Sequence, residues 1–252
     1  MHPILFVIGP VAVYSIDFMQ FLGGMLAFGL FWREARRAGL AGRHLLAFVL
    51  VAFPVTLACS YGFRVWVRFL TYGWEYGWAT LHFGVISFGL PVGLLLSGYL
   101  AATQRDLPPG KVLDLVILTL PLAQAVGRIG CFLNGCCFGL ETDGPLGVYL
   151  PGDYDVWAYR YPTQLMLSAF DLALFGVLWF RREKVRYPGG QAFLYLFCFS
   201  IGRVLIDALR DLPRVFGPFS PHQLATLAIL LVTGYLYFEW RLARRAGERR
   251  EA

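Results

Sequence analysis

A chain of 252 residues of which 58% are hydrophobic and only 15% charged, with a formal net charge of +6, is poorly matched to water. A soluble domain carries charge on about a quarter of its residues, so the composition excludes an ordinary soluble enzyme. No polar second domain, internal repeat or low-complexity tract interrupts the pattern.

Apolar windows of about 20 residues, the length that crosses a bilayer as a helix, recur seven times in chain order. They predict spans at Val11–Phe31, Leu45–Phe63, Ala79–Ala102, Val112–Gly127, Thr163–Phe180, Gln191–Ala208 and His222–Trp240. The first has neither the basic leader nor the small-residue cleavage site of a signal peptide, so it is expected to stay in the membrane. The expected fold is an all-α integral membrane protein, one domain of seven transmembrane helices over 1–252.

Basic residues fall at alternate ends of these spans. Arg33, Arg36, Arg37 and Arg43 follow the first, and Arg105 and Lys111 the third. Arg181, Arg182, Lys184 and Arg186 follow the fifth, and Arg241, Arg244, Arg245, Arg249 and Arg250 the seventh. These are most of the 22 Lys and Arg. The positive-inside rule then puts the N-terminus and the 128–162 loop outside and the basic C-terminal tail in the cytoplasm. The net charge reads as topology and contact with anionic membrane lipids, with no nucleic acid as partner.

Within the spans, each ionisable residue is costly and usually faces a cavity or a partner. Asp17, Asp171, Arg203, Asp207 and Arg210 are of this kind, with Arg128 at the outer end of the fourth span. "GRVLIDALR" sets Arg203, Asp207 and Arg210 at i, i+4 and i+7, on one helical face. An internal ion pair closed by Asp207, with Arg210 reaching outward, is the plain reading. Two arginines on that face together with Arg128 exceed what Asp207 neutralises, and the natural further partner is an anion such as a lipid phosphate. Arginine suits it, being permanently charged and able to grip phosphate oxygens with two donors.

"GRIGCFLNGCCFG" (127–139) carries four glycines. A glycine-rich surface for helix packing explains the glycines alone. A broken or re-entrant backbone lining an outward-facing polar cavity also explains Arg128 and Asn134, and is the expectation preferred. No glycine-rich strand-to-helix phosphate loop suggests a nucleotide enzyme, and no inverted repeat suggests a transporter.

These segments resemble the prolipoprotein diacylglyceryl transferases, integral inner-membrane enzymes. That family moves diacylglycerol from phosphatidylglycerol to the lipobox cysteine of a preprolipoprotein, forming a thioether and releasing glycerol phosphate. "HPILFVIGPVAVYSIDFMQFLG" looks like the family's opening. "GRIGCFLNGCCFG" is similar to its signature Gly-Arg-x-Gly-Asn-Phe-x-Asn-x-Glu-x-x-Gly. "YPTQL", "GRVLIDALR" and "FSPHQL" match three later motifs in order. The resemblance implies that Arg128 and Arg203 hold the donor phosphate and meet charge on the leaving glycerol phosphate. It also implies that Asp207, in a glutamate position, orients Arg203 and Arg210. Asn134 and Gly139 keep signature places, and Gln164 and Gln223 match polar residues at the outer ends of later spans. Phosphatidylglycerol, a preprolipoprotein signal peptide and membrane lipids are the implied partners, with no cofactor and a monomeric protein.

The departures fall on groups that handle protons. Cys131 and Cys136 stand where the signature has asparagine and glutamate. Gly89 in "SFGLPVG" stands at the family's histidine, Ile16 at a tyrosine, and Leu167 at a glutamate. Ala58-Cys59-Ser60 replaces a Gly-Gly-Arg. His82, near the outer end of the third span, is the histidine expected to activate the incoming thiol, since the thiolate is the nucleophile. His222 is expected to be interfacial. The alternative to the transferase is a paralogue acting on another acceptor, or a non-catalytic lipid-binding membrane protein. For Cys131, Cys136 and Cys137 a disulfide, an acceptor thiol and plain apolar packing stay open. A zinc site is disfavoured, because three thiols without a nearby histidine leave the ion short of a ligand.

Overall fold

The computed structural model describes residues 1–73, 89–103, 108–152, 156–184 and 187–251. The long apolar runs become helices, and turn residues separate them. A hairpin of β1 (Ile4–Ile8) and β2 (Val11–Tyr14) opens the chain and leads into α1 (Ser15–Arg37). Then come α2 (Gly42–Tyr72), α3 (Gly89–Thr103) and α4 (Pro109–Asn134). A second hairpin, β3 (Val148–Pro151) and β4 (Trp157–Arg160), precedes α5 (Thr163–Arg181), α6 (Gly190–Ala208) and α7 (Pro221–Glu251). The helix count among the described residues is the seven expected. Five helices are long and apolar enough to cross a membrane, and Gly89–Thr103 and Pro221–Leu236 are shorter apolar helices. The chain is a multi-pass membrane protein.

Several boundaries differ from expectation. Val11–Tyr14, expected at the start of the first span, is a strand. Its β-branched and aromatic residues pair with Ile4–Ile8 across a Gly9-Pro10 turn in which Gly9 has φ +57°, a conformation that costs glycine little. Residues 79–88 of the expected third span lie outside the described residues. The largest correction concerns the opening of "GRIGCFLNGCCFG". The fourth span does not end at Gly127 but continues as helix to Asn134. Its first two glycines are used for packing, so irregular backbone is confined to the residues after Asn134.

The physical reason is the approach of α1. A Cβ at Gly130 would lie 2.8 Å from Met19 Cβ, and one at Gly23 2.8 Å from the Ala123 carbonyl oxygen. Small residues let two helices meet backbone to backbone where lipid gives no hydrophobic drive to associate. The same device joins α2 and α3. Gly89, Gly93, Ser97 and Ala101 recur at every fourth position, and a Cβ at Gly93 would meet Thr56 Cα at 2.5 Å.

Polarity is inverted relative to a soluble protein. Phe53, Phe180 and Leu231 are more than 70% exposed, whereas Ser15, Ser97, Ser200 and Thr226 are fully buried. Ile117, Leu120, Leu174, Leu178, Tyr195 and Phe199 form the main apolar core between α4, α5 and α6. The helices alternate in direction. At one end Glu34 near the end of α1 reaches Arg182 just after α5 (3.8 Å). At that same end Asp114 of α4 accepts the N–H groups of Gly189 (2.8 Å) and Ala192 (3.0 Å), capping α6 where the helix dipole favours an acid. At the other end the N-terminal segment, the loop after α4, the start of α5 and the end of α6 meet. His2 N–H donates to the Leu133 carbonyl (3.0 Å), and Leu140 N–H to that of Leu209 (2.8 Å).

Candidate functional site

The second end is where the buried charges gather. On the last turns of α6 Asp207 lies between two arginines. Arg203 Nη2 is 3.1 Å from one of its carboxylate oxygens and Arg210 Nη1 3.1 Å from the other. Asp207 is fully buried, and the two arginines are nearly so. Arg203 and Asp207 share a face of α6 at i and i+4, whereas Arg210 lies two residues past the helix end and reaches Asp207 from there.

Arg128 enters this cluster from α4. Gly127 and Gly130 turn toward α1, so residue 128, on the opposite side of the helix, turns inward, where it is 6% exposed. It interacts electrostatically with Asp171, Asp207 and Arg203. The fold thus brings together two arginines separated by 75 residues in sequence. Asp171, on α5 and buried, lies within electrostatic reach of Arg128 and Arg203. Within this cluster the guanidinium groups of Arg128, Arg203 and Arg210 meet the carboxylates of Asp171 and Asp207, while at the same end the buried Arg160 bridges Glu141 (2.7 Å) and Asp211 (3.3 Å).

The loop above the cluster is built by caps. Gly135 (φ +74°) ends α4 in a Schellman turn, its N–H donating to Phe132 O and that of Cys136 to Cys131 O, both at 3.1 Å. Cys137 follows at φ +64°, a left-handed conformation that costs a non-glycine residue about 1–3 kcal/mol. Two side chains at the start of α5 hold it there. Thr163 Oγ1 donates to the Cys137 carbonyl (3.0 Å), and Gln164 Nε2 to that of Cys136 (2.8 Å). Gln164 therefore acts on the loop backbone. Asn134 is the last residue of α4, half-buried beneath this turn.

Gly139 sits where three backbones converge. Its N–H donates to Tyr161 O (2.9 Å), and it pairs with Arg210 as an antiparallel bridge. A Cβ there would lie 2.6 Å from Tyr161 O and 2.8 Å from Leu209 O. Gln223 belongs to a capping box. Its N–H donates to Ser220 Oγ (3.3 Å) while its Oε1 accepts the Ser220 N–H (3.0 Å), with Pro221 at the first helical position. Arg214 also donates to Gln223 Oε1 (3.1 Å). "SPHQ" carries this signature in plain sequence, and sequence reasoning missed it.

His82 lies outside the described residues. Gly89, the position of the family's histidine, touches the α2 backbone, and a Cβ there would be 2.2 Å from Ser60 Cα. His222, expected at the interface, packs edge-on to Phe63 (5.7 Å between centroids) and interacts electrostatically with Arg210 and Asp207. It faces the charge cluster.

The three cysteines after Arg128 also converge. The sulfurs of Cys131, Cys136 and Cys137 lie within 4.8 Å of one another, and all three are free thiols. Hydrogen bonds from Cys131 and Cys136 hold the Cys137 thiol well below its ordinary range, and Arg210 and Arg128 act in the same direction against burial. Cys136 Sγ donates to the Cys131 carbonyl (3.7 Å), and the adjacent sulfurs together with burial push its thiol up. Beyond these, sequence reasoning passed over the buried bond from Tyr195 Oη to Gln124 Oε1 (2.8 Å). A glutamine and a tyrosine inside apolar runs were the available signal.

This arrangement defines a class: a helical membrane protein that buries an arginine-rich, acid-bridged cluster at one end of its bundle. The chain belongs to the prolipoprotein diacylglyceryl transferase family, whose model matches residues 3–239. It is 30% identical over 234 residues to the phosphatidylglycerol–prolipoprotein diacylglyceryl transferase of Clostridioides difficile (strain 630), covering 85% of this chain and 88% of that one. The protein of the same name from Gloeobacter violaceus is 32% identical over 71% of this chain and 70% of its own. That from Dehalococcoides mccartyi is 30% identical over 82% of each.

Proposed function

We propose that this protein transfers the diacylglyceryl group of phosphatidylglycerol to the lipobox cysteine thiol of a preprolipoprotein. The sulfur attacks the glyceryl carbon that bears the phosphate ester. A C–S bond forms, the C–O bond breaks, and glycerol phosphate departs with the bridging oxygen and the bonding pair. The convergence of Arg128 and Arg203 on one buried cluster is the observation that carries this reading. Fixed cations in a water-poor site stabilise charge that develops on a leaving phosphate, and Asp207 holds Arg203 and Arg210 in orientation. Arg128 and Arg203 are assigned to the phosphate, and His82 to the thiol proton. Asn134, Gly139, Gln164 and Gln223 shape the loop and helix starts around them.

The positive-inside pattern supports an orientation with this end on the outer face of a bacterial cytoplasmic membrane and the basic last turns of α7 inside. The protein is taken to act as a monomer. Purified protein in lipid nanodiscs, given phosphatidylglycerol and a lipobox peptide, is the direct test. Arg128→Lys and Arg203→Lys keep the charge but lose the planar fork. Each is expected to weaken donor binding and lower transfer at least about tenfold, the equivalent of one charge-assisted hydrogen bond. His82→Ala is expected to lower turnover by about a hundredfold to ten-thousandfold, the range of general-base assistance, with donor binding kept. Full transfer in both lysine variants would show the arginines to be structural. Lipid binding without wild-type turnover would make the chain a lipid-binding protein instead.

A further inference from the structure

The cysteine trio has no part in the reaction just described. Cys131 is on the last turn of α4, and Cys136 and Cys137 lie beyond its Schellman turn. Neighbouring residues ordinarily aim their side chains apart. Here the left-handed conformation of Cys137 (φ +64°) folds the chain so that both sulfurs approach Cys131, all within 4.8 Å. The carbonyls of Cys136 and Cys137 are pinned from α5 by Gln164 and Thr163, so the convergence is held by hydrogen bonds from another helix.

We infer that Cys131, Cys136 and Cys137 form a three-thiolate site for a soft monovalent cation, copper(I). Soft thiolates select copper(I), zinc and iron–sulfur clusters. Zinc in a structural site takes four ligands, and among the described residues the group comprises three cysteines without a histidine or carboxylate. Copper(I) is content with three sulfurs in a plane. With metal–sulfur bonds of about 2.3 Å, such a plane sets its sulfurs about 4 Å apart, a contraction of less than about 1 Å from the present spread. Three thiolates around a monovalent ion carry net charge −2. Arg128 and Arg210 lie within electrostatic reach of the trio and offset that charge where water is scarce. Binding exchanges the protons still held by the thiols for one copper(I), with no change of oxidation state.

The test is anaerobic titration of the nanodisc-embedded full chain with copper(I) against a chromogenic copper(I) chelator, with X-ray absorption on the loaded wild type. The expected result is one copper per chain with three sulfur neighbours, and zinc(II) failing to compete at equal concentration. Cys131→Ser, Cys136→Ser and Cys137→Ser should each weaken binding by more than the roughly 10–100-fold that loss of an outer-shell partner costs. Cys59→Ser and Cys198→Ser should leave it unchanged. No bound copper, two sulfur neighbours, preference for zinc, or a Cys131–Cys136 disulfide that forms under mild oxidation and resists copper would each overturn the inference. The wild-type coordination number decides even if a serine variant misfolds. Metal binding is read without turnover, so failure of the transferase reading leaves this result interpretable.

Discussion

Asp207 is the residue on which the charge cluster turns, because it is fully buried and contacts Arg203 and Arg210 at once. Removing one partner of a buried ion pair leaves uncompensated charge and costs about 3–5 kcal/mol. Asp207→Asn is therefore expected to lower the thermal unfolding midpoint sharply in detergent, as well as abolishing transfer. A variant that melts with wild type would show that Asp171 suffices to balance the arginines. Ser220 makes a smaller, cleaner case. Ser220→Ala removes one half of the capping box and should cost about 0.5–2 kcal/mol, with donor binding unaltered because no lipid contact is assigned to it. Gly139→Ala should be worse than its single methyl suggests. The obstacles are two backbone oxygens and the Tyr161 Cβ, none of which can rotate away, and overpacking of this kind costs about 1–3 kcal/mol.

At the scale of elements, the α1–α4 and α2–α3 seams depend on having nothing at Gly130 and Gly93. Gly93→Leu is expected to separate α2 from α3 and lower the melting midpoint, whereas the exposed Tyr99 already shows that bulk is tolerated on the other side of α3. An unchanged midpoint for Gly93→Leu would mean that the seam yields. These seams mark what the sequence could and could not tell. Seven helices were legible because a bilayer demands long apolar runs, and the shared face of Arg203 and Asp207 followed from helical spacing. The glycines of "GRIG" were ambiguous because glycine favours both a broken backbone and a close crossing, and only the position of α1 decides between them. The strand at Val11–Tyr14 was hidden because β-branched residues are apolar too. The caps made by Gln164 and Asp114 join helices through residues far apart in sequence, so no local pattern announces them.

For the whole molecule, direction in the membrane is the open variable. The Glu34–Arg182 contact and the Asp114 cap put the ends of α1, α4, α5 and α6 in register, so locating one end locates all. A single cysteine introduced at Arg245 in a chain lacking its native cysteines should react with a membrane-impermeant maleimide only after cells are opened, and labelling in intact cells would invert the topology. The separation of the charged residues along the chain also sets a timetable. Ribosomes add about 5–20 residues per second, so Arg128 is made roughly 4–16 seconds before Asp207. During that interval Arg128 must enter a bilayer against an insertion cost of about 2.5–3.5 kcal/mol, with only Asp171 among its eventual acidic neighbours arriving sooner. The apolar seam with α1, already complete when α4 emerges, is what can hold the arginine in place while the rest of its surroundings is synthesised.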